Sequence, residues 1–128
     1  MSNPITDLMI RIKNGYMAGR QTIDVPYSVF KENVIKKLIE MKYLKGYRVT
    51  GDKVKKMTID LLYKDSEPAL TDVKIYSKPG RRWYVSVKDI KPVLGGLGYS
   101  LISTPQGVMN NIEARNKKLG GELLFSFW

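Results

Sequence analysis

Ile5, Leu8, Met9, Ile12 and Tyr16 recur at helical spacing and form one apolar stripe. Asn3 suits a helix cap and Pro4 the first helical position, so a helix is predicted to start there and to end near Gly15 and Gly19. Arg11, Lys13 and Asn14 fall off the stripe and are expected to face water or a phosphate. Thr22 to Val25 reads as a short strand stopped by Pro26. Ser28 can cap a second helix running to about Met41. Its broad apolar face comprises Val34, Leu38 and Met41 with Phe30, Ile35 and Ile39, and Glu32 and Lys36 are spaced as an i,i+4 ion pair. Two strands follow, Tyr47–Thr50 and Met57–Tyr63, joined around Gly51-Asp52. In the second, Met57, Ile59, Leu61 and Tyr63 alternate with Thr58, Asp60 and Leu62, which turns one face to a core.

Asp65-Ser66-Glu67-Pro68 breaks this pattern and is the predicted boundary between subdomains 1–66 and 67–128. Beyond it the chain is strand-rich. Val73–Ser77 is a strand, Lys78-Pro79-Gly80-Arg81 a turn, and Trp83-Tyr84-Val85 the returning strand. Ser86 to Leu94 holds a helical turn interrupted by Pro92, and Gly95-Gly96-Leu97-Gly98 reads as a flexible connector. That run lacks G-x-G-x-x-G spacing and precedes a strand, which argues against a phosphate loop. Tyr99–Ser103 is a strand, Asn110 caps a short helix through Lys118 ended by Gly120, and Leu123–Trp128 is a closing strand. The expected fold class is α+β: an N-terminal α-β-α-β-β subdomain packed on a β-rich C-terminal subdomain with a short helix.

Charge adds a partner class. The chain has 128 residues, with 22 Lys+Arg against 12 Asp+Glu and a net charge of +10. A balance this basic points to a polyanion. The excess leans on the first half: residues 1–64 carry 13 Lys+Arg and 6 Asp+Glu, and residues 65–128 carry 9 and 6. Cysteine and histidine are absent, which removes disulfides, thiolate metal sites and every His-based catalytic arrangement. No apolar stretch approaches the roughly 20 residues that span a bilayer. Residues 1–15 contain Asp7 and lack a signal-peptide layout, so a soluble, cytosolic protein is expected.

Three segments carry candidate chemistry. In Tyr99–Met109 an apolar run ends in Ser103-Thr104, and Pro105 to Gly107 then turn the chain. Two hydroxyls at the tip of such a turn can donate to and accept from base edges or ribose 2′-OH groups. In Tyr76–Tyr84, Lys78, Arg81 and Arg82 stand among aromatic residues, a composition suited to an unstacked base beside a phosphate. Adjacent strand residues face opposite ways, so one of Trp83 and Tyr84 belongs to the core; we read Tyr84 as the exposed one. Finally Gly121-Glu122 brings a carboxylate that can hold the turn by accepting from a backbone N–H or a hydroxyl, or can accept from a base amino group. Arg115, Lys117 and Lys118 read as a solvated helix end.

Asn3-Pro4-Ile5-Thr6-Asp7 with Arg11-Ile12-Lys13-Asn14-Gly15, then Ser77-Lys78-Pro79-Gly80, then Gly96-Leu97-Gly98 through Glu122, together resemble the bacterial small-subunit ribosomal protein eight family. The resemblance covers essentially the whole chain. It implies direct, early binding to the central domain of 16S-type rRNA in the cytoplasmic ribosome, through a C-terminal unit that recognises an irregular RNA helix. It implies RNA contact by Ser103, Thr104, Gly107 and Tyr84, with Gly121 and Glu122 supporting the turn. It also implies contact with neighbouring small-subunit proteins (five and twelve), and in some members repression of their own messenger RNA. No catalytic residue, metal or cofactor is implied, and the free protein is expected to be a monomer. Where the family usually reads S-T-S, this chain has Pro105, with neither hydroxyl nor N–H; Gln106 stands where lysine is frequent, and Asn110-Asn111-Ile112 lacks a basic residue.

The residues support a two-part binding surface. Arg11, Lys13, Lys55, Lys78, Arg81 and Arg82 neutralise phosphate, and the turn, Pro105 included, with Tyr84 reads RNA shape. Two alternatives remain at this level. One is a metal-dependent nuclease using the loose acidic group Asp60, Asp65, Glu67 and Asp72; the other is a general polyanion binder indifferent to RNA shape.

Overall fold

The computed structural model describes residues 4–128, so Asn3 and its cap lie outside the described residues. Helix α1 (Pro4–Met17) forms where the apolar spacing predicts, and Ile5, Leu8, Met9, Ile12 and Tyr16 are all buried. Strand β1 (Thr22–Pro26) follows, and α2 (Val29–Glu40) begins at the Ser28 cap, whose hydroxyl accepts from the Lys31 amide at 3.1 Å. Helix α2 buries Val34, Ile35 and Leu38, but Phe30 of the predicted face is exposed. Lys31 is buried instead; its ammonium donates to the Pro26 carbonyl at 3.0 Å, and burial pushes its pKa down. Strands β2 (Gly46–Thr50) and β3 (Lys56–Asp60) complete an antiparallel sheet in the order β1-β3-β2. Gly15 lets α1 lie close on β1, since a Cβ there would stand 2.6 Å from Ile23 Cγ2.

The register explains which sheet face is apolar. Met57 and Ile59, both fully buried, stand between Val25 and Val49 and between Ile23 and Tyr47. On the other face Thr58 stands between Asp24 and Arg48, and its hydroxyl donates to Asp24 at 2.7 Å. Arg48 pairs with Asp60 at 3.1 Å. Glu32 accepts from Tyr47 at 2.8 Å and Tyr27 at 3.0 Å, so two phenols hold the carboxylate that the spacing offered to Lys36.

These bonds set an acid sensitivity. The Thr58 hydroxyl holds the Asp24 carboxyl below its ordinary range, and the Tyr47 and Tyr27 hydroxyls do the same for Glu32. A carboxyl whose pKa is lowered by folding stabilises the fold above its unfolded pKa, and that contribution disappears as pH falls through the folded value. Stability is therefore expected to drop as pH is taken from about 6 to below about 4, and Thr58→Val is expected to shrink that drop. Urea denaturation at the two pH values checks this; an undiminished drop in the variant would remove Thr58 as the cause.

Asp65 and Ser66, predicted as a subdomain break, instead form a tight turn between β4 (Tyr63–Lys64) and β5 (Glu67–Pro68), both at positive φ. Two short paired strands hold this segment in the first compact unit, Asp7–Thr71; Asp72–Trp128, grouped with residues 4–6, forms the second.

In the second unit β6 (Val73–Ile75), β7 (Tyr84–Val85), β8 (Tyr99–Thr104), β9 (Gly107–Asn110) and β10 (Gly121–Phe127) make one antiparallel sheet in the order β6-β10-β8-β9. The expected β6–β7 hairpin does not form. Both strands pair with β10, β6 at Phe125–Phe127 and β7 at Gly121–Glu122, so they are two pieces of one edge. The edge splits where β10 bulges: the Tyr76 and Ser77 amides donate to the Leu124 carbonyl, and the Leu123 amide donates to the Trp83 carbonyl. Helix α3 (Asn111–Asn116) starts with a complete capping box between Asn110 and Glu113. Ile90, Ile102, Met109 and Ala114 form a buried cluster, with Leu101, Phe125 and Phe127 buried on the alternate positions of β8 and β10. The glycine run is an ordered turn: Val93 O accepts from the Gly96 and Gly98 amides, both at 3.0 Å.

Candidate nucleic-acid interface

The pairing of β8, β9 and β10 builds the site. Strands β8 and β9 are joined by the two residues Pro105-Gln106, with Thr104 opposite Gly107. Proline presets the backbone for the first corner of the turn, and Gly107, at φ +114°, takes a conformation that side chains disfavour. Thr104 is buried and its hydroxyl closes the turn, donating to Gly107 O at 2.8 Å and accepting from Gln106 N at 3.1 Å. It therefore staples the loop, where the sequence suggested a group presented to a partner. Ser103 lies inside β8, one residue before the tip, and its hydroxyl has no protein partner among the described residues.

Across the sheet Ser103 stands opposite Val108 on one side and Glu122 on the other, and Glu122 stands opposite Tyr84. Directly opposed residues share a sheet face. Tyr84, Glu122, Ser103 and Val108 thus form one row beside the Pro105-Gln106 turn. Gly121 makes the row possible, because a Cβ there would overlap the Ser103 carbonyl. Glu122 is bound by Arg82 at 3.1 Å, which neutralises a carboxylate that would otherwise repel a phosphate. Tyr84 is 71% exposed and presents its ring to solvent; Trp83 is 43% exposed, so neither aromatic is a core residue. Trp83 packs edge-on against Tyr76 at 5.5 Å.

The remaining cations are distributed. Lys78 and Arg81, both exposed, close the loop tip through paired backbone hydrogen bonds with Gly80 at φ +72° between them. Arg11 is held by Asp7 at 3.2 Å and by the Asp24 carbonyl at 3.3 Å, so it is less free than its off-stripe position suggested. Lys13 and Lys55 also lie in the first unit, Lys55 5.7 Å from the Tyr27 ring centre. Asp60, Asp65, Glu67 and Asp72 do not converge; no three acidic side chains among the described residues are placed to share an ion. No helix among them is long and apolar enough to cross a membrane.

A family model described as Ribosomal protein S8 matches residues 3–128. The chain belongs to the ribosomal protein S8 family. Three relatives are each called "Small ribosomal subunit protein uS8". That of Dictyoglomus turgidum is 44% identical over 129 residues, covering 100% of this chain and 98% of the relative. That of Ruegeria pomeroyi is 41% identical over 126 residues, covering 97% of each, and that of Caulobacter vibrioides is 39% identical over 126 residues, covering 97% and 96%. The ribosomal protein S8 family is structural, so the nuclease reading is withdrawn.

Two participants escaped sequence reading. Val108 completes the row, and only the β8–β9 register reveals it. Ser77, 2% exposed, pins the base of the 76–83 loop by accepting from Trp83 N at 2.9 Å.

Proposed function

We propose that this protein binds directly to the central domain of 16S-type rRNA and helps assemble the small subunit. The observation that carries this reading is the registered row of Tyr84, Glu122 and Ser103 beside the rigid Pro105-Gln106 turn. A flat aromatic, a free hydroxyl and a neutralised carboxylate in line offer stacking, donor and acceptor to displaced bases or to a 2′-OH. Gly107, Gly121 and Thr104 shape the turn without touching RNA through functional groups of their own. Arg82, Lys78 and Arg81 in the second unit, and Arg11, Lys13 and Lys55 in the first, supply phosphate contacts. The same recognition extends to the protein's own messenger RNA if that RNA repeats the distorted helix. In the subunit its neighbours are proteins five and twelve, and free it is a monomer.

The test is binding to the distorted central-domain hairpin of the cognate rRNA, with a perfectly paired hairpin of equal length as control, across a salt series. Selective binding that persists as salt rises is expected. Ser103→Ala is expected to weaken binding to the distorted hairpin by up to about tenfold with an unchanged salt slope. Lys13→Ala or Lys55→Ala should weaken both hairpins alike and reduce the slope by roughly one contact each. Equal binding to both hairpins that collapses with salt would leave a general polyanion binder.

A further inference from the structure

The second unit contains a cavity of about 440 Å3 whose lining shares only Tyr84 with the Ser103 row. Its floor is Ser100 and Ile102 of β8 with Leu123 and Ser126 of β10; Ser100 and Ile102 alternate away from Ser103. Ser100 and Ser126 are direct cross-strand partners, 5% and 3% exposed. Neither hydroxyl has a protein partner among the described residues, and neither oxygen is sealed from solvent, so both are open to a ligand in the cavity. Tyr76 and Trp83 form one wall, their rings inclined at 71°. An edge-to-face pair leaves ring surface open for stacking. A smaller hollow of about 250 Å3 shares Tyr76 and Trp83 and is bordered by Lys74, Lys78 and Arg81. The Lys74 ammonium sits 5.2 Å from the Tyr76 ring centre.

We propose that these two hollows are a nucleotide subsite: one unstacked base enters the Ser100–Ser126 cavity against Tyr76 and Trp83, and its phosphate lies among Lys74, Lys78 and Arg81. Paired hydroxyls each donate and accept, so they can satisfy the edge of any base. The cations select a ligand that joins a flat ring to an anion. The shared ligand chemistry is a nucleotide, supplied either by an unpaired position in RNA or by a free mononucleotide. Tyr84 borders the cavity as well as the row, so the two sites need separate variants.

The indole of Trp83 reports occupancy by fluorescence, and Trp83→Phe is the control that must lose the signal. The full chain is titrated with AMP and UMP, then with the distorted hairpin. Saturable quenching is expected, weakened about tenfold in Ser100→Ala, which removes a hydroxyl and leaves the volume. Ser126→Leu, which replaces the second hydroxyl with a bulky apolar group projecting into the cavity floor, is expected to abolish it; far-ultraviolet circular dichroism confirms that the variant is folded. Quenching by mononucleotides assigns a free-nucleotide site, and quenching by the hairpin alone assigns a base delivered by RNA. No quenching by either, or quenching unchanged in both serine variants, overturns the proposal. Hairpin selectivity with Trp83 silent toward the hairpin and toward both mononucleotides would overturn this subsite and leave the Ser103 row standing. Mononucleotide quenching without hairpin selectivity would do the reverse.

Discussion

Gly121→Ala is expected to destabilise the second unit by about 2–3 kcal/mol and to abolish discrimination between the distorted and the paired hairpin. The added methyl group would overlap the Ser103 carbonyl oxygen and stand 2.9 Å from the Ser103 carbonyl carbon and 3.1 Å from Thr104 Cα. All three are backbone atoms of a central strand, so no side-chain rotation relieves the clash. Strand β10 must move off β8 at the position where Glu122 faces Ser103, and Tyr84 moves with it because β7 is carried by β10. Gly80→Ala is the control. Its Cβ would meet nothing within 4 Å, so its cost is the strain of φ +72°, about 1 kcal/mol, and the row stays in place. Urea denaturation and hairpin binding measure the two effects. A Gly121→Ala protein of native stability and selectivity would show that β10 does not approach β8 this closely.

Phe125→Ala is expected to cost about 3–5 kcal/mol, the largest effect of any single truncation proposed for this chain. Phe125 is fully buried in the strand that holds the second sheet together, opposite Leu101 on β8 and Ile75 on β6. Its ring lies 5.5 Å from that of Phe127, so truncation removes a packed neighbour as well as apolar area. Domains are stable by only about 5–15 kcal/mol in all, so little margin would remain. Both tryptophans, Trp83 and Trp128, lie in the second unit, and their fluorescence therefore follows its unfolding. The urea midpoint should fall steeply while the slope of the transition is kept. Phe125→Leu, which retains most of the volume, should lose much less. An unchanged midpoint for Phe125→Ala would mean that Phe125 is not a core residue.

The parts of the fold that were legible in the sequence are those governed by neighbours in the chain. The stripe Ile5-Leu8-Met9-Ile12-Tyr16 specifies α1 because residues three and four apart share a helix face. Ser28 and Asn110 mark helix starts because a short polar side chain satisfies amides within three residues. The misreadings share one cause. Asp65-Ser66 has the composition of a linker and serves as a turn within a small hairpin. The run Lys78-Pro79-Gly80-Arg81 does turn, but where the strands on either side of it go depends on β10, some forty residues later.

The site divides the same way. Amino-acid types alone determined a basic, cysteine-free, histidine-free chain with a hydroxyl-bearing turn, which excludes thiol and imidazole chemistry and selects an anionic partner. Family membership is equally a property of the sequence. Which hydroxyl is free was decided by tertiary structure. Thr104 is consumed by the turn it closes, Ser103 keeps an unpartnered hydroxyl among the described residues, and Gly121, without a side chain, lets β10 approach the Ser103 backbone. The Tyr84–Glu122–Ser103 row and the Ser100–Ser126 pair likewise exist only through cross-strand register. Register is a non-local property: alternation along a strand says which residues share a face, and only the partner strand says what stands opposite them.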